Sequence, residues 1–262
     1  MKDVDFSIVI PAYNTPELLQ RALESVRSQH NVTWEAIIVD DSDKTSEIEQ
    51  YVTTLKDPRI AYYHNRPPLG AVPNWNYGLS LANGRYVILL HHDESLLNED
   101  FLSIMRRKLA NCEMAVARVV VYRSDRKKYE TAPKWLKKMV LHLPSLFFAI
   151  NPIGPSAAFA FRIEHMKYFD TQTHWFVDVE WYYRMLCHSS ACYVPSAIVA
   201  SYHGHGGQIS GNIDTVAEAK KDAAVLNRKY RRNLPVRLFM WFFIHIIHNR
   251  SVNQTIKHLL RR

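Results

Sequence analysis

Ala36-Ile37-Ile38-Val39-Asp40-Asp41-Ser42-Asp43 is apolar for four residues and then abruptly acidic. A strand that is apolar at every position has no solvent face, which is how a central strand of a parallel sheet reads when helices cover both sides. Upstream, Phe6-Ser7-Ile8-Val9-Ile10 ends at Pro11, and Thr15 and Pro16 supply an N-cap and a first-turn proline for a helix with Leu19, Ala22, Leu23 and Val26 on one face. Downstream, a helix from Thr45 to Leu55 aligns Ile48, Tyr51, Val52 and Leu55, Ile60–Tyr63 reads as a strand, and a loop passes through Arg66-Pro67-Pro68-Leu69-Gly70. A helix over Val72–Ala82 and an apolar strand over Tyr86–Leu90 follow. This alternation predicts an α/β fold with a Rossmann-like, mostly parallel central sheet flanked by helices.

The second half is less regular. Asn98 is expected to cap a helix with Glu99 and Asp100 in its first turn and Arg106, Arg107 and Lys108 in its last, as the helix dipole favours. Met114–Tyr122 reads as a strand. Arg123–Lys138 is strongly basic and breaks the periodic pattern, and Trp135–Ile150 is apolar and aromatic, which reads as an insertion or flexible loop near a partner surface. Ser156–Phe161 is expected to be a strand, Asp178–Cys187 a helix, Ala191–Tyr202 a strand broken by Pro195, and Asp214–Tyr230 a helix, with a glycine-rich turn at 204–207. The apolar run after Pro235 is too short to span a bilayer. With Arg231, Arg232 and Arg237 around its start and Lys257, Arg261 and Arg262 after it, residues 231–262 read as a basic amphipathic helical extension lying on an anionic membrane surface.

Composition narrows the partners. The 262 residues are 47% hydrophobic, ample for a core, and carry 33 basic against 25 acidic side chains, a formal charge of +8 that favours anionic partners. The basic residues gather at 123–138 and near the C-terminus and are not interleaved with exposed aromatics, a distribution that fits a membrane better than a nucleic acid. Three cysteines without CxxC spacing argue against a disulfide framework and a zinc site. Asp3 and Asp5 interrupt the N-terminus, which reads as neither signal peptide nor span, so a cytoplasmic location is expected.

In open α/β sheets ligands sit beyond the carboxyl ends of the strands, and three of those ends here carry Tyr13-Asn14, Asp40-Asp41 and His91-His92-Asp93. Neither a GxGxxG fingerprint nor a GxxxxGK[ST] phosphate loop is present. A phosphate-bearing ligand would need another counter-charge, and a divalent metal held by Asp93 and a histidine could supply it.

Phe6 to Tyr230 resembles the family 2 glycosyltransferases of bacterial cell-surface polysaccharide synthesis: SIVIPAYN, ELLQRALESVRSQ, EAIIVDDSD, NWNYGLSLANGRYVILLHHDE, FVDVEWYYRM and HGHGGQIS look like its successive motifs. The resemblance implies the A-type glycosyltransferase (GT-A) fold, a nucleotide-sugar donor, a divalent cation (Mn2+ or Mg2+) and inverting transfer by direct displacement. It assigns 1–110 to the nucleotide-sugar half and 111–230 to the acceptor-side half. By position, Pro11, Tyr13, Asn14, Asp40 and Asp41 fall where the family holds base and ribose, and Arg66, Asn76, His92 and Ser156 fall on the donor side. The usual Asp-x-Asp metal motif reads His91-His92-Asp93 here, so that Asp93 keeps the metal position, His91 is either a further ligand or a contact behind it or to the sugar, and the late His205 approaches the metal or the diphosphate. Asp178 matches the catalytic base, which takes the acceptor proton; a helix N-cap is its structural reading, and Glu180 is a secondary candidate. Trp175 and Phe176 could stack on a sugar, whereas Trp75 and Trp181 read as core. The expected acceptor is a glycan or a polyprenyl-diphosphate-linked glycan at the inner membrane face, with a homodimer among the partners. The competing reading is a catalytically degenerate donor-binding or scaffold subunit of a glycan-assembly complex.

Overall fold

The computed structural model of the protein describes residues 4–43, 47–123, 128–204 and 214–247. Four parallel strands, β1 (Phe6–Ala12), β2 (Trp34–Asp40), β3 (Ile60–His64) and β4 (Tyr86–Leu89), lie in the order β3-β2-β1-β4. Helices α1 (Pro16–Arg27), α2 (Glu47–Leu55) and α3 (Ala71–Ser80) make the crossovers between them. Every residue of β1 and β4 is buried, as the apolar run of β4 and that of β1, interrupted only by Ser7, require. α1 starts at Pro16 and buries Leu19, Ala22, Leu23 and Val26.

Beyond β4 come β5 (Glu94–Leu96), α4 (Phe101–Leu109), β6 (Met114–Arg123), β7 (Lys128–Glu130), α5 (Lys134–His142), β8 (Phe159–Arg162), α6 (Val177–Leu186) and β9 (Ala191–His203). β8 joins β4 to β6 by antiparallel pairing on both sides, β9 runs parallel to β6, and β5 closes that edge. The described residues thus form one nine-stranded mixed sheet whose N-terminal part is wholly parallel. α7 (Thr215–Lys229) and α8 (Leu234–Phe242) follow, with a wider π-helical turn at Phe243–Ile247. Asp214 caps α7 by accepting from Val216 and Ala217, and Asn233 caps α8 by accepting from Val236.

Several local expectations are corrected. Asn98 does not cap α4: its side-chain oxygen accepts the amide of Ile198 in β9 at 2.9 Å, and Asp100 occupies the cap position without a side-chain bond. The stretch read as an insertion or loop contains α5, which buries Leu136, Val140 and Leu141, and a 3-10 turn at Pro144–Phe148 that buries Phe147 and Phe148. The exposed basic and aromatic residues of α5 had masked its buried stripe; Lys137 is itself only 1% exposed, 3.4 Å from Glu130. Ser156–Ala158 is a 3-10 turn, and the strand begins at Phe159. Pro195 does not end its strand: the register passes from Ala117↔Val194 to Arg118↔Ile198, so residues 195–197 bulge out of the ladder where proline has no N–H to offer. Cys112 and Cys192 form a disulfide across 80 residues, a pairing brought about by the β6–β9 register rather than by spacing.

Close packing of the parallel sheet leaves no room at two glycines. A Cβ at Gly78 of α3 would lie 2.5 Å from Val9 Cγ1 and 2.9 Å from Val39 Cγ2, and one at Gly84 would lie 2.6 Å from the backbone nitrogen of Ser7. At Gly84 the obstacle is backbone, which cannot turn aside. Gly84→Ala is expected to cost about 1–3 kcal/mol of stability, measured by urea denaturation; an unchanged midpoint would refute the close approach.

Candidate functional site

The carboxyl ends of the parallel strands meet at one edge of the sheet. Asp40 is fully buried, with Oδ1 accepting from the amide and hydroxyl of Ser42 and Oδ2 from the Tyr62 hydroxyl at 2.8 Å. Asp41, also buried, holds the 65–70 loop: it accepts from the amides of Leu69 (2.7 Å) and Gly70 (2.8 Å) and from the side-chain amide of Asn65 (2.9 Å). Asn65 in turn donates to Asn74, which donates to the Val39 carbonyl. Both acids are buried structural acceptors that shape the loop around the site. Tyr13 is 47% exposed and donates to Asp43, while Asn14 takes a positive φ of 49° and donates its amide to the Ser42 hydroxyl. Pro11 accepts through its carbonyl at 3.1 Å from a ring nitrogen of His92, and exposed Arg66 lies against His64 and 3.6 Å from Glu49.

His91 is the centre of a second group. Its amide donates to Glu94 Oε2 at 2.9 Å, and its Nδ1 lies 3.5 Å from the same carboxylate and 3.4 Å from the hydroxyl of fully buried Ser156. The ring meets the edge of Trp75 at 4.8 Å. Nε2 of His91 is buried and has no hydrogen-bond partner among the described residues. Burial disfavours the imidazolium, but the hydrogen bond and charge of Glu94 outweigh it and push His91 up to about 9. Burial raises Glu94, with His91 opposing the shift.

Asp178 occupies the second residue of α6, and its Oδ1 is likewise buried without a partner among the described residues. Burial raises its carboxyl, and the nearby His91 charge works against that rise. It is not an N-cap: Phe176 holds that position, and the preceding amides are taken by Asp222 of α7. This buried carboxylate accepts from His174, Trp175 and Phe176, the last two at 2.7 and 2.8 Å. Glu180 is fully buried and accepts from Arg184 (2.8 Å) and the Tyr230 hydroxyl (2.6 Å), with Lys229 at 2.8 Å, so the secondary candidate is engaged in the interior.

Two aromatic expectations change as well. Phe176 is 2% exposed and packs against Phe148 and Phe243, which leaves no face for a sugar, whereas Trp75 is only partly buried and borders the site. Trp181 is core. Asn76 spends both ends of its amide on the backbone of Phe169, at 2.7 and 3.0 Å, a structural use. His205 lies outside the described residues. Glu94, Ser156 as a neighbour of His91, and Asp222 were not separable by sequence; only the run of polar residues after β4 signalled Glu94. Among the described residues no three His, Cys, Asp or Glu side chains gather as a metal cage. Beside β4 the side chains of a type that binds cations are Asp93 and His91, whose Nε2 is buried without a partner among the described residues.

Comparison with known proteins gives the family and the fold. The sequence profile of Glycosyl transferase family 2 matches residues 7–180, and the chain belongs to that family. It is 38% identical over 120 residues to WcaA of Escherichia coli (strain K12), a glycosyl transferase assigned to colanic acid biosynthesis, a match covering 45% of this chain and 42% of WcaA. It is 33% identical over 104 residues to a GalNAc(5)-diNAcBac-PP-undecaprenol beta-1,3-glucosyltransferase of Campylobacter jejuni, covering 38% of this chain and 33% of that one. The matches thus span less than half of these relatives. In structure it is similar to S. aureus TarS 1-349 in complex with UDP-GlcNAc, with a TM-score of 0.71 at 14% identity over 97% of this chain and 76% of that one. GalNAc-T7 with UDP, GalNAc and Mn2+ gives 0.63 at 14% identity, over 99% and 59% of the two chains. The fold is the GT-A fold.

The His91–Glu94 pair can be read by titration. A folded value near 9 lies above the ordinary histidine value, so the pair favours the folded state below about pH 6.5 and that contribution is lost as pH rises through about 9. Glu94→Gln removes the charge and leaves burial acting alone. The His91 ring, followed by NMR, is expected to titrate at least about two units lower in that variant; an unmoved midpoint would sink the pairing.

Proposed function

We propose that the protein is an inverting glycosyltransferase that moves a sugar from a nucleotide-sugar donor, UDP-linked, to a hydroxyl of a glycan or lipid-linked acceptor in cell-surface polysaccharide synthesis. The observation that carries this reading is the buried, unpartnered Oδ1 of Asp178 beside the His91 group at the end of β4. The carboxylates of Asp40, Asp41, Glu180 and Asp222 are taken up by amides, hydroxyls or cations, while this oxygen is left for a substrate. Burial that raises a carboxyl also makes its carboxylate a better base. Asp178 takes the proton of the acceptor hydroxyl, the acceptor oxygen forms its bond to the anomeric carbon from the opposite face, and the bond to the nucleotide diphosphate breaks with its electrons on the leaving phosphate.

Pro11, Tyr13, Asn14, Asp40 and Asp41 shape the place of base and ribose, with Arg66, His92 and Ser156 on the diphosphate side. A divalent cation, Mn2+ or Mg2+, would neutralise the charge that builds on the departing diphosphate. Asp93 would hold it, together with Nε2 of His91 once the cation has displaced the proton from that nitrogen, and with His205 as a third ligand; such ions commonly complete their shell with substrate phosphates, so few protein ligands are needed. Residues 1–110 form the donor half and 111–230 the acceptor-side half in this reading. Residues 231–262 attach the protein to an anionic membrane, at the cytoplasmic face where a polyprenyl-diphosphate-linked acceptor would be met. Among the described residues no helix is long and apolar enough to cross a membrane.

Calorimetric titration with UDP, GDP, CDP and dTDP, each with manganese and with chelator, tests the donor. Metal-dependent binding of UDP is expected, and Asp93→Asn should abolish the metal dependence; no binding of any nucleotide would overturn the reading. Asp178→Asn is expected to keep UDP binding while transfer falls by about two to four orders of magnitude. Nucleotide binding without measurable transfer by the unsubstituted protein would favour the degenerate-subunit alternative.

A further inference from the structure

α5 and α8 each bury one stripe and leave another apolar stripe in solvent. On α5, Leu136, Val140 and Leu141 face inward, whereas Trp135 (59% exposed) and Met139 (38%) stand on the outer face. On α8, Val236 and Met240 are buried while Leu238 (54%), Trp241 (54%) and Phe242 (38%) are exposed. Both helices pack against the same Pro144–Phe148 turn. Each stripe is edged by exposed cations: Lys134 and Lys138 on α5, Arg237 on α8 with Arg231 and Arg232 just before it.

The sequence around both helices is one-sided in charge. No Asp or Glu occurs between Glu130 and Glu164, nor anywhere after Asp222. An exposed tryptophan-bearing stripe bordered by lysine or arginine and lacking acids is the composition of an interfacial helix on anionic lipid. A soluble protein partner would not require forty residues without an acidic side chain. We infer that α5 and α8 together form a two-helix docking face for an anionic lipid bilayer.

The inference extends the membrane reading of residues 231–262 to a second helix far from it in sequence, and it does not depend on the identity of donor or acceptor. It also ties membrane contact to the candidate base. Phe147 meets Tyr182 at 5.2 Å and Phe148 meets Tyr183 at 5.5 Å, so the turn that carries α5 and α8 is packed on α6, the helix of Asp178. A bilayer seated on this face would hold α6 at a fixed height above the headgroups, where an acceptor borne on a lipid diphosphate presents its sugar.

The experiment is co-sedimentation of the full chain with vesicles of phosphatidylglycerol and phosphatidylcholine, compared with vesicles of phosphatidylcholine alone. Four proteins carry the test: Trp135→Glu with Met139→Glu, Leu238→Glu with Trp241→Glu, a chain ending at Ile247, and that shortened chain with the α5 pair. All the substituted residues are exposed, and circular dichroism verifies folding. The α5 pair is expected to weaken binding to anionic vesicles roughly tenfold or more, and the chain ending at Ile247 is expected to keep that sensitivity to α5. Unchanged binding of the α5 pair overturns the two-helix face; if the α8 pair still lowers binding, the C-terminal reading survives alone. A concentration-dependent dimer in sedimentation velocity that the α5 pair abolishes would assign the face to a second copy of the chain and overturn the lipid assignment. Equal binding to neutral and anionic vesicles would overturn the electrostatic part.

Discussion

A strand covered on both faces has nowhere along its length to leave a polar side chain unpaired, and that constraint arranges the rest of the molecule. β1 and β2 satisfy their backbones through parallel neighbours, β4 through β1 on one side and antiparallel β8 on the other, and all three fill both faces mainly with apolar groups. Ser7, the polar residue inside β1, obeys the same rule: its hydroxyl donates to Glu35 and accepts from the amides of Asn83 and Gly84. Polar residues therefore collect where the strands stop, at Tyr13-Asn14, Asp40-Asp41 and His91-His92-Asp93. A site at that edge follows from how the sheet is buried.

Crowding acids at one edge has its own cost, and the fold meets it by supplying each with donors. Asp40 has Ser42 and Tyr62, Asp41 has two backbone amides and Asn65, and Asp222 has three consecutive amides. Hydrogen bonds to a charged group contribute about 1.5–3 kcal/mol each, so these clasps are stiff. Against that background the unpartnered atoms of His91 and Asp178 stand apart. The carboxylates divide into those the fold has consumed and those it has kept for something else, and the division marks the site more sharply than charge alone.

The parallel half was legible because period and composition agree there: Ala36–Val39 is apolar without a break, Pro16 opens α1, and the helix faces follow the expected spacing. The second half was read less well for identifiable reasons. Pro195 looked like a strand break because sequence does not show that three residues can bulge out of a ladder. The inner stripe of α5 was hidden by its outer one, since Trp135 and Met139 carry the same apolar character as Leu136 and Val140. Asn98, in a good position to cap, was claimed by Ile198 a hundred residues away, and the disulfide joins cysteines whose proximity only the β6–β9 register creates. In the site, Asp93 was legible from its place after β4 and the role of Asp178 rested on the family resemblance, while Glu94 and Asp222 depended on contacts across the sheet that no local pattern records.

Asp222 also bears on where the working unit ends. The family profile matches residues 7–180, yet the amides of residues 174–176 that lead into α6 find their acceptor in α7, and Glu180 at the edge of the match is held by Lys229 and Tyr230. A fragment trimmed to the shared segment would carry Asp178 on a loop whose three amides have lost their anchor, beside a buried glutamate stripped of two of its partners. The family's common core is therefore not a freestanding module in this chain; its final turn is completed by a helix that the family signature does not include.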